Sequence, residues 1–175
     1  MIRLENVRDR PQDLPALKAL YERSFPTNER RPLEPLLNDR TGHAAVLSVV
    51  RKGAFGGFLC LLMAGDLIHI IYFAVPEELR GRGIGSEALA EVRLLNPGKR
   101  IIVDVEQARE GASNAEQRRR RRDFYLRNGY AETPVRYTWR DEDSVILCAG
   151  GSLTGEEFGG FWRALAREMP EASAY

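Results

Sequence analysis

The segment "FAVPEELRGRGIGSEALAEV", Phe73 to Val92, sets the problem the rest of the chain has to fit. An apolar strand-like run leads through a short acidic connection into an Arg–Gly alternation, and then into a helix-like sequence. Three glycines and two arginines fall within Arg80–Gly85, at the mouth of that helix. Such a mouth suits an anion. Gly81, Gly83 and Gly85 allow unusual dihedrals and close backbone approach to phosphate oxygens. The amides of the first turn supply donors and a favourable dipole, and Arg80 and Arg82 add charge. A dinucleotide fingerprint, G-x-G-x-x-G, fits poorly, because the third glycine comes one residue early and the loop follows several strands. A P-loop needs a Gly-Lys-Ser/Thr ending, and there is no lysine here. A glycine-rich turn with solvated arginines stays open as the bland alternative. On these residues alone the reading reaches a phosphate-bearing cofactor and no further.

Working outward, "MIRLENV" opens a sheet. Asp13 is placed to cap a helix in "DLPALKALYERSF", whose stripe of Leu14, Leu17, Leu20, Tyr21 and Phe25 has helical spacing, and Pro26 stops it. "LEPLLNDR" is a short helical piece. The runs "AAVLSVV", "AFGGFLCLLM" and "LIHIIYFAV" read as strands, the last apolar on both faces like a central strand. Gly65-Asp66 between two of them is a turn signal. A helix from about Gly83 to Leu95 is followed by the strand "RIIVDVE". Ser113-x-x-Glu116 has the form of a capping box, opening a helix to Asn128 with Gly129 after it. "VRYTWR" and "SVILCAG" close the sheet. A second capping box, Thr154-x-x-Glu157, starts a helix with Phe158, Phe161, Trp162, Leu165 and Met169 inward. The expected fold is α/β, a twisted mixed sheet flanked by helices, with 1–148 as the main domain and 149–175 as a helical extension packed on it.

Composition narrows the function classes. The 175 residues suit one domain with a sizeable core. Lys and Arg total 26 against 25 Asp and Glu, so no overall field draws the chain to nucleic acid or membrane. Cys60 and Cys148 form no CxxC pair and read as buried, reduced residues, and no metal-ligand set is read. "MIRLENVRDR" lacks the apolar core of a secretory signal, so a cytoplasmic location is expected. Phe55–Val75 could mimic a membrane span, but Asp66 near its middle would cost roughly 3 kcal/mol there.

The loop Arg80-Gly81-Arg82-Gly83-Ile84-Gly85 resembles the acetyl-coenzyme A signature of the GCN5-related N-acetyltransferases (GNAT), R/Q-x-x-G-x-G/A. "FAV" before it and "SEALAEV" after it look like that family's fourth strand and third helix. "DFYLRNGY", Asp123–Tyr130, resembles its other hallmark, a helix ending x-Tyr-x-x-x-Gly-Phe/Tyr. The resemblance covers Met1 to about Cys148. It implies a GNAT-type three-layer fold with an additional C-terminal helix, and acetyl-coenzyme A as co-substrate. It further implies that the pantetheine arm pairs with Phe73, Ala74 and Val75 like an added strand. The pyrophosphate would lie on Arg80, Gly81, Arg82, Gly83, Ile84, Gly85 and Ser86. A backbone N–H near Val75 would polarise the thioester carbonyl.

Direct attack by an amine needs the amine neutral, and the departing thiolate benefits from an acid. Tyr125 matches the family tyrosine placed near the sulfur, and a phenol is protonated at neutral pH. Two residues compete as base: Glu106, sharing a strand face with Asp104, and His69, six residues before Val75. An imidazole on an apolar strand is also a common core residue. Glu29, in the variable segment "FPTNERRP", is a candidate for attracting a cationic amine, with a solvated loop carboxylate as its alternative.

"RRRRR", Arg118–Arg122, points in every direction on a helix, and its i,i+3 and i,i+4 pairs repel by a few tenths of a kcal/mol. Glu116, Asp123 or a bound anion can relieve this. Family members commonly carry an asparagine seven residues before the tyrosine, to meet the pantetheine. Arg118 stands there in this chain, so Asn114, one turn earlier, is a further candidate for that contact. The acceptor is a small-molecule or peptide amine of unread identity. An acyl-coenzyme A sensor without turnover is the alternative, and a nucleic-acid protein acting through the arginines is a third. The Phe158/Phe161/Trp162 stripe could meet a second copy in a homodimer as readily as its own sheet.

Overall fold

The apolar runs assemble into one mixed sheet. The computed structural model describes residues 1–107, 111, 113–139 and 142–175. Its strands are β1 (Ile2–Asn6), β2 (Ala44–Arg51), β3 (Ala54–Ala64), β4 (Leu67–Ala74), β5 (Arg100–Glu106), β6 (Ala131–Trp139) and β7 (Glu142–Ala149). Among the described residues they form a seven-stranded sheet in the order β1-β2-β3-β4-β5-β7-β6. Neighbours are antiparallel except β4 and β5, which run parallel. The helices are α1 (Leu14–Ser24), α2 (Glu34–Asn38), α3 (Ile84–Leu95), α4 (Ala115–Arg127) and α5 (Gly155–Glu168).

Strand alternation divides the core in two. On one face Leu17 and Leu20 of α1, Leu36 of α2, and Phe161 and Leu165 of α5 pack on Phe58, Tyr72 and Ile146. On the other, Ile84 and Leu89 of α3 and Tyr125 of α4 pack on Ile68, Val103 and Leu147. Each such fully buried aliphatic or aromatic side chain contributes about 1.5–3 kcal/mol. The expected mixed sheet between helices is therefore observed. The apolar stripe of α5 lies on the first face, beside α1 and α2.

Local expectations met different ends. Gly65-Asp66 forms the two-residue tip between β3 and β4, where Ala64 pairs with Leu67. The Thr154–Glu157 capping box is formed by both of its hydrogen bonds. Asp13 does not cap α1. It ends a short 3-10 turn, Pro11–Asp13, and its carboxylate accepts from Arg10 Nε at 2.7 Å. Nor does Ser113–Glu116 form a box: the residue before α4 is Asn114, with no side-chain cap. Glu116 instead pairs with Arg119 and Arg120, where charge attraction outcompetes the cap. β6 starts at Ala131, ahead of the expected Val135, because Pro134 falls within a register shift on an edge strand, where a missing N–H is tolerated.

Candidate active site

The decisive irregularity lies between β4 and β5. Their parallel ladder runs from Leu67↔Arg100 to Ile70↔Val103 and stops there. On its other side β4 stays paired with β3 up to Ala74↔Phe58, and β5 stays paired with β7 up to Glu106↔Ser144. The two strands thus diverge while each is held by its outer neighbour. A bulge supplies the bend, since Cys60 opposes Tyr72 and Leu61 opposes Ile70, leaving Ile71 as the extra residue. Backbone groups of residues 71–74 and 104–106 consequently face a gap rather than each other. Gly57 holds β3 close at this point. A Cβ there would lie 2.5 Å from the Ala74 carbonyl oxygen, and its φ of 140° is one that side chains rarely adopt.

Past the gap the chain turns through a short 3-10 turn, Glu77–Leu79, into the glycine loop. Gly81 and Gly83 have φ of 71° and 78°, with open space where a Cβ would stand. Gly83 caps α3 without a side-chain hydrogen bond. The Glu87 amide donates to the Gly83 carbonyl at 2.9 Å, so the amides of Ile84, Gly85 and Ser86 precede the first intrahelical bond. Gly85 serves differently from its two neighbours. A Cβ on it would meet the Phe124 ring at 3.0 Å, so its bareness lets α4 pack against α3. Arg80 donates from Nε to the Val75 carbonyl at 3.1 Å, tying the loop to the end of β4. Arg82 is exposed. The candidate residues Phe73, Ala74 and Val75 therefore adjoin the loop in space as well as in sequence.

Tyr125 sits on the same face as this loop. It is 3% exposed, and its ring packs on Phe124 and Tyr130 at centroid distances of 5.2 and 5.4 Å. Burial raises its pKa, partly offset by the nearby Arg121 guanidinium. The phenol accordingly keeps its proton through the neutral range.

The opposite face carries a cavity of about 330 Å³, whose lining includes His69, Asp104, Glu106, Glu29, Arg121 and Glu142. Asp104 and Glu106 share this face because they are two residues apart on β5. His69 is 2% exposed and its Nε2 lies 3.1 Å from Asp104 Oδ1. With Nε2–H donating to the carboxylate, Nδ1 is buried among the rings of Phe158, Phe161 and Trp162 and has no hydrogen-bond partner among the described residues. Burial tends to raise the Asp104 pKa, but the His69 bond and charge, with Arg121, outweigh it and hold the carboxyl below its usual range. Glu29 moves the other way: burial, then the neighbouring Glu106 charge, raises its pKa.

The arginine run is sorted by the helix. Arg119 and Arg120 bind Glu116, and Arg122 binds Glu132 at 2.8 Å. Arg121 faces the cavity. Arg118 is buried and points to β5 and β7. Its guanidinium reaches Glu106 at 3.1 Å, Glu142 at 2.9 Å and the Gln107 carbonyl at 3.0 Å. With the Asn114 amide turned so that its oxygen meets donors, that oxygen accepts from the same group at 3.2 Å. Arg118 and Asn114 thus form a clamp on the strand ends beside the gap. Sequence reading offered Glu106 and His69 as alternative bases and Glu29 as a residue to attract the amine, and all three line this cavity. It did not find Glu142, Arg121 or Tyr137 as cavity residues, because β6 and β7 reach the site only through sheet order. Among the described residues no group of three or more His, Cys, Asp or Glu is arranged to hold a metal ion. No helix among them is long and apolar enough to cross a membrane.

This geometry, a sheet parted beside a glycine-capped helix, has a family. The model of the acetyltransferase (GNAT) family matches residues 14–130, and the chain belongs to that family. It is an acyltransferase of the acetyltransferase type. A search of curated proteins gave no matching sequence. Solved structures share the fold. A putative acetyltransferase from the GNAT family of Bacteroides thetaiotaomicron superposes with a TM-score of 0.74 at 23% identity, covering 94% of this chain and 96% of its own. The ribosomal-protein-S18-alanine N-acetyltransferase from Escherichia coli gives 0.58 at 20% identity, over 89% and 97%. An aminoglycoside 6'-N-acetyltransferase complexed with coenzyme A gives 0.64 at 14% identity, over 83% and 94%.

Proposed function

We propose that the protein transfers the acetyl group of acetyl-coenzyme A to a primary amine of a small molecule or peptide, by direct attack within a ternary complex. The observation that carries this is the β4–β5 gap, which joins two differently equipped faces. On the α3–α4 face, the bare amides of Ile84, Gly85 and Ser86 with Arg80 and Arg82 suit a pyrophosphate. The unpaired edge at Phe73–Val75 suits the amides of a pantetheine arm, which would add to β4 as a strand. When bound there, the co-substrate supplies a thioester whose carbonyl accepts the amine.

On the α1–α5 face the carboxylates await a cationic acceptor. The Val75 N–H polarises the carbonyl as negative charge develops on its oxygen. The Tyr125 phenol protonates the departing sulfur from the first face. The amine's proton leaves toward the second face, where Glu106 and His69 both adjoin Asp104. Asn114 and Arg118 keep the end of β5 in place beside the gap, and Glu29 stands across the cavity.

The test is release of free thiol from acetyl-coenzyme A with a panel of primary amines, beside calorimetry with coenzyme A. Turnover with at least one amine, and loss of coenzyme A binding in Gly83→Asp, are expected. Tight coenzyme A binding with no turnover on any amine would favour a sensor over an enzyme. No heat from coenzyme A would remove the reading altogether.

A further inference from the structure

Folding leaves very little large apolar surface open on this protein. Among the described residues outside the cavity, the exposed large hydrophobics are Met1, Leu94 and Leu95. Around the cavity, by contrast, five aromatic side chains are only half-buried: Tyr137 and Trp139 of β6, Phe158 and Trp162 of α5, and Tyr175. Aromatic rings left half-covered around one concave site invite a flat apolar partner. All five come from residues beyond 130, where the family match ends.

Charge limits what such a partner carries. Four carboxylates line the cavity, Glu29, Asp104, Glu106 and Glu142, against the guanidinium groups of Arg31 and Arg121. Arg118, just behind, pairs with both Glu106 and Glu142, so carboxylates exceed guanidinium groups by one among the described residues. Of the four, Asp104 lies at the gap outside the Arg118 ion pairs, which take Glu106 and Glu142, with the Arg121 charge also acting on it. His69 holds one of its oxygens, and Tyr137 lines the same cavity. One ammonium finds a partner there. Each further ammonium of a polyamine or aminoglycoside would meet the remaining carboxylates, already matched in number by the guanidinium groups of Arg31, Arg118 and Arg121.

We propose that the acceptor is a monoamine on a flat apolar body such as an aryl ring, its ring laid against the half-buried Phe158 and Trp162 of α5 beside Tyr137, and its ammonium received by Asp104. His69 is then a positioning residue, fixing the carboxylate. This rests on the acetyl-transfer reading above and names its substrate class.

The test is calorimetry on the coenzyme A-loaded protein with 2-phenylethylamine, methylamine, spermidine and kanamycin. Expected is binding of 2-phenylethylamine about tenfold or more tighter than each of the others. Asp104→Asn, nearly isosteric, and Trp162→Ala should each weaken it about tenfold, with coenzyme A affinity within about twofold of the parent. Retained coenzyme A affinity certifies that each variant is folded. Equal or tighter binding of spermidine or kanamycin, methylamine matching the aryl amine, an unaltered Asp104→Asn, or no amine binding at all would overturn the proposal while leaving coenzyme A binding intact. Absence of coenzyme A binding by the parent protein would instead overturn the acetyl-transfer reading, and this one with it.

Discussion

Replacing Arg118 by methionine removes the centre of the clamp beside the gap while keeping much of its apolar stem. Glu106 and Glu142 then face each other without their shared cation, and the Gln107 carbonyl loses its donor. Breaking a fully buried pair from one side costs about 3–5 kcal/mol. The Arg118 side chain is 10% exposed, but Glu106 is 25% and Glu142 38% exposed, so water recovers part of that penalty. The expected loss is about 2–3 kcal/mol, or a fall in Tm of roughly 4–12 °C for a chain of this size. Arg118→Lys keeps the charge but not the fork, and should lose about 1 kcal/mol. A double-mutant cycle with Glu106→Gln should show coupling of about 1 kcal/mol. Urea unfolding followed by circular dichroism reads all three. A loss below about 0.5 kcal/mol in Arg118→Met would refute the clamp. So would a drop in coenzyme A affinity at unchanged stability, which would make Arg118 a cofactor ligand instead.

Other outcomes follow from the same geometry. Tyr125→Phe should lower kcat by about 100-fold or more with little change in coenzyme A affinity. Because burial raises this phenol's pKa, the parent's rate should show no alkaline fall from Tyr125 below about pH 10. Gly57→Ala places a methyl group against the Ala74 carbonyl and should cost at least about 2 kcal/mol. It should also weaken coenzyme A binding, measured by calorimetry on whatever fraction folds. Glu29 has a raised pKa in the native state, so the native state holds its proton longer than the unfolded chain does. Stability therefore falls as pH rises from about 4.3 through the native pKa. Glu29→Gln should thus be more stable than the parent at pH 7, with a higher Tm, and equal to it near pH 3.

Much of the fold was written in local pattern. The strands, the Gly65-Asp66 tip, the Thr154 cap and the glycine mouth of α3 are decided by nearest neighbours along the chain. What failed was competition for side chains. Asp13 and Glu116 both have cap chemistry, but each is taken by an arginine three or four residues away. The site was half legible. Glu106 and Asp104 share a face by simple alternation, and Tyr125 followed from its motif. The His69–Asp104 contact was not, because it depends on the parallel register His69↔Ile102 across strands 35 residues apart. Nor was the aromatic wall, which needs β6, β7 and α5 to be brought beside β4 and β5. The arginine run read as a charge problem, yet helix geometry gives its members different tasks, with Arg118 alone among them buried.

The most direct measurement is the electron density of a crystal of this protein grown with coenzyme A. The account predicts the pyrophosphate on the amides of Ile84–Ser86, the pantetheine alongside Phe73–Val75, and the sulfur at the β4–β5 gap between Tyr125 and Asp104. Coenzyme A bound elsewhere, or a sulfur turned away from the gap, would contradict it.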